Sequence, residues 1–111
     1  MKLRGKISLL MSAIISMASV ASGGDAAANW TQHCASCHAK DGSGNTTMGK
    51  KNGAKDYRDA KVQAEFTDAK AMDIIKNGVT GGGKSKMKGF KDKLSDDEIK
   101  ALVGYVRSLK K

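Results

Sequence analysis

Residues 33–38 read His-Cys-Ala-Ser-Cys-His and hold both cysteines and both histidines of the 111-residue chain. Several kinds of chemistry could use soft side chains gathered this closely. A disulfide between Cys34 and Cys37 would close a very short loop and add little stability. A thiol–disulfide redox site also uses Cys-x-x-Cys, but near a βαβ pattern, and no strand–helix alternation is visible. A zinc site needs ligand pairs separated by a longer stretch, and no Cys or His follows His38. An iron–sulfur cluster normally takes four cysteines. The remaining chemistry is covalent haem attachment, for which Cys-x-x-Cys-His is the characteristic spacing. Near-helical backbone brings the sulfurs of Cys34 and Cys37 to one side, where they can form thioethers with vinyl groups. The adjacent His38 then points its ring at the iron. His33 lies outside the motif and reads as a partly exposed side chain.

The rest of the composition agrees with a bulky guest. Trp30, Tyr57, Phe66, Phe90 and Tyr105 are the only Trp, Tyr and Phe residues, while glycine occurs 13 times. Such a chain underfills its own core, and small domains often need a staple, metal or cofactor.

The N-terminus has the grammar of a secretory leader. Lys2, Arg4 and Lys6 precede an uncharged, largely apolar run from Ile7 to Val20, and Ser19 and Ala21 suit the −3 and −1 positions of a cleavage site. The expected organisation is a signal peptide over 1–21 and one domain over 22–111; a cut after Gly23 is the alternative. The run is short of the roughly 18–20 residues of a spanning helix and is interrupted by serines. A periplasmic or otherwise exported protein without stable membrane insertion is expected. After cleavage, 17 Lys and Arg face 11 acids, a net charge of +6, which favours acidic surfaces. No nucleic-acid motif accompanies the charge.

The elements that must position the motif follow from spacing. A first helix is expected over about 26–34, capped by Ser22 or Asp25. It places Trp30 one turn before Cys34 on the same face. A last helix begins at Ser95, with Glu98 completing a capping box and Leu94 and Ile99 placed for a hydrophobic staple. Ile99, Leu102, Val103, Val106 and Leu109 form its apolar face. Between them, Thr67 caps a helix that ends at Asn77-Gly78, with Met72, Ile75 and Val79 inward. Asp59 to Phe66 adds a shorter helical turn. Residues 41–55 read as loop.

With these elements in place, residues from about 25 to 109 resemble a small class I cytochrome c. The resemblance implies an all-α fold of three to five helices around one covalently attached haem c, with the N- and C-terminal helices crossing. It implies that Leu102 and Tyr105 meet the first helix, and it offers a tight crossing as the reason for Gly104. It implies Met87 as the second axial iron ligand beside His38, because Met87 follows the third helix on a glycine-rich loop and precedes an aromatic, Phe90. Met72 reads as core filler, and Met48 lies too close to His38 in sequence to reach the opposite face. The family's proline after the ligand is absent, as is all proline. Without the usual proline carbonyl, a carbonyl near residues 52–54 is expected to accept the Nδ1–H of His38, a bond that orients such a ring.

The function implied is one-electron transfer, with no enzymatic activity. Its partner would be an acidic redox protein docking at a lysine-rich haem edge formed by Lys84, Lys86, Lys88, Lys91 and Lys93, with Lys50, Lys51 and Lys55 nearby. A monomer is expected. The rival is a haem enzyme or gas-binding protein, peroxidase-like, which requires an open or labile sixth position.

Overall fold

The computed structural model describes residues 25–111. The expected leader, its cleavage site and the alternative cap Ser22 lie outside the described residues.

The chain starts with three helical pieces in immediate succession: α1 (Ala26–Asn29), a π-helical turn (Trp30–Cys34) and α2 (Ala35–His38). Asp25 is the N-cap, its carboxylate accepting from the Ala28 amide at 3.2 Å. The π turn is visible in one bond: the Ala35 amide donates to the carbonyl of Trp30, five residues back. Such wide turns occur mostly at functional sites. A uniform α-helix was expected here; the wider turn ends on Cys34, the first of the paired cysteines. Helix α2 ends abruptly because Ala39 takes φ = +67°, a sparsely populated conformation for a residue with a Cβ. The Trp30 indole N–H donates to the Ala39 carbonyl at 3.1 Å, which ties this turn to the preceding helix.

The stretch read as loop contains a helix, α3 (Thr47–Asn52). Thr46 caps it, accepting from the Gly49 amide at 2.8 Å, and the same hydroxyl donates to the Cys37 carbonyl at 2.7 Å. Gly53 closes it in the left-handed region. One threonine therefore starts α3 and docks it on α2. Next come α4 (Ala60–Ala64), capped by Asp59, and α5 (Asp68–Asn77), capped by Thr67 as the sequence indicates.

A two-stranded antiparallel ribbon follows, β1 (Gly78–Gly81) and β2 (Lys84–Lys88). No strand was expected, because Gly and Lys dominate the segment and only Val79 and Thr80 favour strands. The turn chemistry accounts for it: Gly82 and Gly83 both have positive φ, as a two-residue hairpin turn of the twisted kind requires. The register breaks between Val79 and Thr80, and Val79 sits opposite Met87. At Gly78 a Cβ would lie 2.4 Å from the Met87 carbonyl oxygen, so the ribbon closes only around a glycine there.

Helix α6 (Asp96–Ser108) has the full capping box, Ser95 and Glu98 each accepting from the other's amide at 3.1 Å. Its face Ile99, Leu102, Val103 and Val106 is buried, with Ile99 wholly inaccessible. Burial of each such side chain is worth about 1.5–3 kcal/mol. Ile99, Leu102 and Val106 pack with Trp30, Cys34, Phe90 and Leu94 into one cluster, so both staple residues lie in the core. Tyr105 meets Trp30 with ring centroids 5.4 Å apart, so the first and last helices meet through the expected residues. The tight crossing expected at Gly104 is absent: nothing lies within 4 Å of a Cβ built there, and the residue faces solvent. Met72 packs against the cluster from its edge, as a filler would.

A polar stitch was missed in the sequence. Gln63, 5% exposed, donates to the Tyr57 and Val106 carbonyls at 2.7 and 2.8 Å. Arg107 donates to the Gln63 side chain at 3.0 Å, to the Phe66 carbonyl at 2.8 Å and to Asp68 at 2.8 Å. These bonds fasten the end of α6 to the α4–α5 region.

Candidate functional site

The helices and the ribbon enclose a cavity of about 640 Å³, within the range that takes organic ligands. It lies where a larger protein would keep the middle of its core. Cys34, Cys37 and His38 enter it from the π turn and α2, Met48 from α3, Ile74 and Ile75 from α5, Val79 and Met87 from the ribbon, and Leu102 and Val106 from α6. Trp30, Tyr57, Phe66 and Phe90 supply aromatic wall. The sequence-derived candidates therefore converge on one space.

No disulfide joins Cys34 and Cys37. Burial, and after it the neighbouring Cys37, pushes the Cys34 thiol up to about 11. A thiol–disulfide catalyst needs the opposite shift, a thiolate stabilised near neutral pH. The described residues also contain no group of three or more His, Cys, Asp and Glu placed to hold a metal ion. What fits is a large apolar guest that reacts with two thiols and accepts a neutral imidazole. Burial lowers the pKa of His38, which keeps the ring neutral as a metal-binding imidazole must be. Its Nδ1 is buried and has no hydrogen-bond partner; the expected carbonyl from residues 52–54 does not reach it. The imidazole instead lies 5.6 Å from the Trp30 ring and 5.4 Å from the Tyr57 ring, centroid to centroid.

The two methionines at the cavity differ. Met87 is half-buried on β2. Met48 is 47% exposed and rides on α3, the helix that Thr46 docks to the carbonyl of Cys37. Met48 thus belongs to the same wall as His38, whereas Met87 comes from a separate element. His33 is half-buried at the rim, its ring 5.4 Å from Phe90.

The rim is basic. Lys84, Lys86, Lys88, Lys91 and Lys93 are exposed, and none takes part in an ion pair among the described residues. Lys88 stands over the Phe90 ring at 5.9 Å. Its ammonium crowds that of Lys93 and lowers the pKa of the latter. Lys55 differs from the rest of the expected set, being paired with Glu65 at 2.5 Å.

Comparison with known proteins gives one answer. The sequence profile of the family described as cytochrome C oxidase, cbb3-type, subunit III matches residues 21–106. A cytochrome c6 of Leptolyngbya boryana is 38% identical over 85 residues, spanning 74% of this chain and 89% of its own. The solved structure of the KustC0563 c-type cytochrome superposes with a TM-score of 0.69 at 39% identity, covering 78% of this chain and 99% of its own.

Proposed function

The chain belongs to the c-type cytochromes as a class I, single-haem member, and we propose that it is an exported electron carrier whose haem is tethered by Cys34 and Cys37 and bound axially by His38 and Met87. The observation that carries the assignment is the convergence of those side chains, from three separate elements, on one apolar cavity. Met87 is favoured over Met48 because Met48 shares a wall with His38.

When bound, the haem supplies a one-electron iron couple; the protein determines how that couple is held and reached. His38 is anchored on α2, and Met87 is fixed by the ribbon through its pairing with Val79. Held by separate elements, the two side chains would keep their positions when the iron they hold changes oxidation state. A thioether ligand also raises the potential and closes the iron to small molecules. Leu102, Val106, Ile75 and Phe66 keep water from the cavity's inner wall. The unpaired lysines around Met87 steer an acidic redox partner to the exposed rim, and that attraction weakens with salt. Export is supported by the basic, apolar and small-residue order of residues 2–21. No helix among the described residues is long and apolar enough to cross a membrane.

The ferric spectrum tests the assignment. Methionine–iron bonding gives a weak far-red band. Met87→Ala loses the band, and the reduced protein gains carbon monoxide binding. If Met48→Ala does so instead, the axial assignment is wrong. A high-spin spectrum of the unsubstituted protein favours an enzyme or gas-binding role over electron carriage.

A further inference from the structure

The two stretches of chain that frame Met87 cross at the foot of the ribbon, and each carries a glycine at the crossing. A Cβ on Gly89 would lie 2.5 Å from the Lys76 carbonyl oxygen and 2.8 Å from the Asn77 carbonyl carbon. A Cβ on Gly78 would lie 2.7 Å from the Gly89 amide nitrogen and 2.9 Å from the Lys88 carbonyl carbon. All four obstacles are backbone atoms and cannot rotate away. Hydrogen bonds fasten the crossing to the end of α5. The Gly78 amide donates to the Ile74 carbonyl, the Phe90 amide to that of Ile75 at 2.9 Å and the Lys91 amide to that of Lys76 at 3.2 Å. Phe90 is buried in the core, and its carbonyl accepts from the Leu94 amide at 2.9 Å, which extends the fastening to the start of α6. Little else stiffens the segment. Gly81, Gly82 and Gly83 precede Met87, and the chain has no proline to restrict a backbone angle.

We infer that Gly78 and Gly89 are positioning residues for Met87: their close crossing sets where the ribbon leaves α5 and hence where the thioether enters the cavity. This rests on the proposed role of Met87 as axial ligand. Gly78 stands opposite Lys88, the neighbour of Met87, and Val79 stands opposite Met87 itself, so a displacement at the crossing is passed directly to the methionine. Restoring an ordinary contact of about 3.5 Å around an added methyl group needs a shift of about 1 Å. Metal–ligand distances tolerate only about 0.2 Å. One methyl group at the crossing therefore loosens Met87 from its place while leaving the α6 face packed.

The glycines of the ribbon provide their own controls. Gly78 has φ = +80°, so alanine there adds backbone strain to the clash. Gly89 lies outside the left-handed region, so alanine there adds the methyl group alone. Gly81, at the other end of the same ribbon, also lies outside that region. Its Cβ would meet Cε of Lys86 at 2.9 Å, the far end of a flexible side chain that can swing away.

The test uses the full haem-containing protein with Gly89→Ala, Gly78→Ala and Gly81→Ala. The far-red band of the ferric protein reports the methionine–iron bond, and titration with imidazole reports how readily that bond is displaced. Gly89→Ala and Gly78→Ala should weaken or lose the band and bind imidazole roughly tenfold or more tightly than the parent. Gly81→Ala should keep the parent's band and imidazole affinity. A Gly89→Ala protein with the parent's band and affinity overturns the inference, whatever its Tm, and so does a Gly81→Ala protein that behaves as Gly89→Ala does. Hydrogen exchange in the parent is independent of how the variants fold: the Phe90 and Lys91 amides should exchange far more slowly than those of Gly82 and Gly83, and equal rates overturn the fastened crossing. Loss of the band in Met87→Ala alongside its retention in Gly89→Ala removes the positioning role alone, whereas retention in Met87→Ala removes the ligand assignment and the positioning role with it.

Discussion

Gly49 and Gly104 both lie inside helices, and helix propensity alone says that alanine at either position stabilises the protein by about 0.5–1 kcal/mol. The structure separates them. A Cβ at Gly49 would lie 2.3 Å from the Cys37 carbonyl oxygen and 2.5 Å from that of Gly44. Both obstacles are backbone atoms and cannot rotate away. The Gly44 amide is also bonded to the His38 carbonyl at 2.8 Å, so its segment is tied to the site. Restoring an ordinary contact of about 3.5 Å needs a shift of about 1 Å between α2 and α3. Overpacking of this kind costs about 1–3 kcal/mol. It exceeds the propensity gain, and Gly49→Ala loses roughly 1–2 kcal/mol net. At Gly104 no atom lies within 4 Å, so the propensity gain stands alone. In a domain of this size each kcal/mol moves Tm by about 4–8 °C. Thermal unfolding of the haem-containing protein, followed by far-ultraviolet circular dichroism, should give a lower Tm for Gly49→Ala and a higher one for Gly104→Ala. A Gly49→Ala protein at least as stable as the parent refutes the close approach of α3 to the haem-attachment turn. A destabilised Gly104→Ala refutes the open face of α6.

Other outcomes follow from the polar contacts. Gln63→Leu leaves the Tyr57 carbonyl without its donor, whereas the Val106 carbonyl keeps the Leu109 amide; guanidinium unfolding should show a loss of roughly 1–3 kcal/mol for the one unpaired group, and a loss below about 0.5 kcal/mol would contradict the stitch. Hydrogen bonds from Arg58 hold the Asp56 carboxyl down at about 2, and bonds from Ser43 and Ser95 lower Asp41 and Glu98. A carboxylate depressed on folding stabilises above its unfolded pKa of about 4 and loses that stabilisation as pH falls through the folded value. Stability should therefore decline from about pH 4 to pH 2, with a shallower slope in Asp56→Asn; equal slopes would show that the Arg58 contact contributes nothing.

Much of this was legible because it is local. The capping box at Ser95 and Glu98, the Thr67 cap and the apolar face of α6 depend on residues a few positions apart. The attachment motif is legible for the same reason, since its chemistry requires the spacing of Cys34, Cys37 and His38. Other features depend on distant partners and leave no local trace. Helix α3 exists because one threonine hydroxyl bridges its own first turn and the carbonyl of Cys37. The ribbon forms because Gly82 and Gly83 can turn and because Val79 and Met87 share the cavity wall, although its lysine-rich strand has little preference for extended structure. Gln63 and Arg107 look like ordinary surface residues until α6 is laid across α4. Gly104 misled in the opposite direction: its place in the helix fits a tight crossing, but the crossing falls at Trp30 and Tyr105 instead.

The buried cluster and the cavity wall are largely the same atoms. Trp30, Cys34, Phe90, Leu102 and Val106 hold α6 against the first helical segment and also face the cavity. A protein of this size has too few large side chains to build a separate core and a separate site. Stability and redox character are therefore coupled through shared packing: loosening α6 also wets the space around the ligands, and hydration is one of the determinants of a haem potential. The rim lysines are exposed and stand outside the buried cluster, Lys86 and Lys88 at the cavity's edge and Lys88 over the Phe90 ring. Substitutions there should change how fast a partner arrives and leave the potential nearly fixed, whereas substitutions on the inner face of α6 should shift the potential even where the fold survives. The division follows from where each side chain sits, and it separates the surface that selects a partner from the interior that sets the couple.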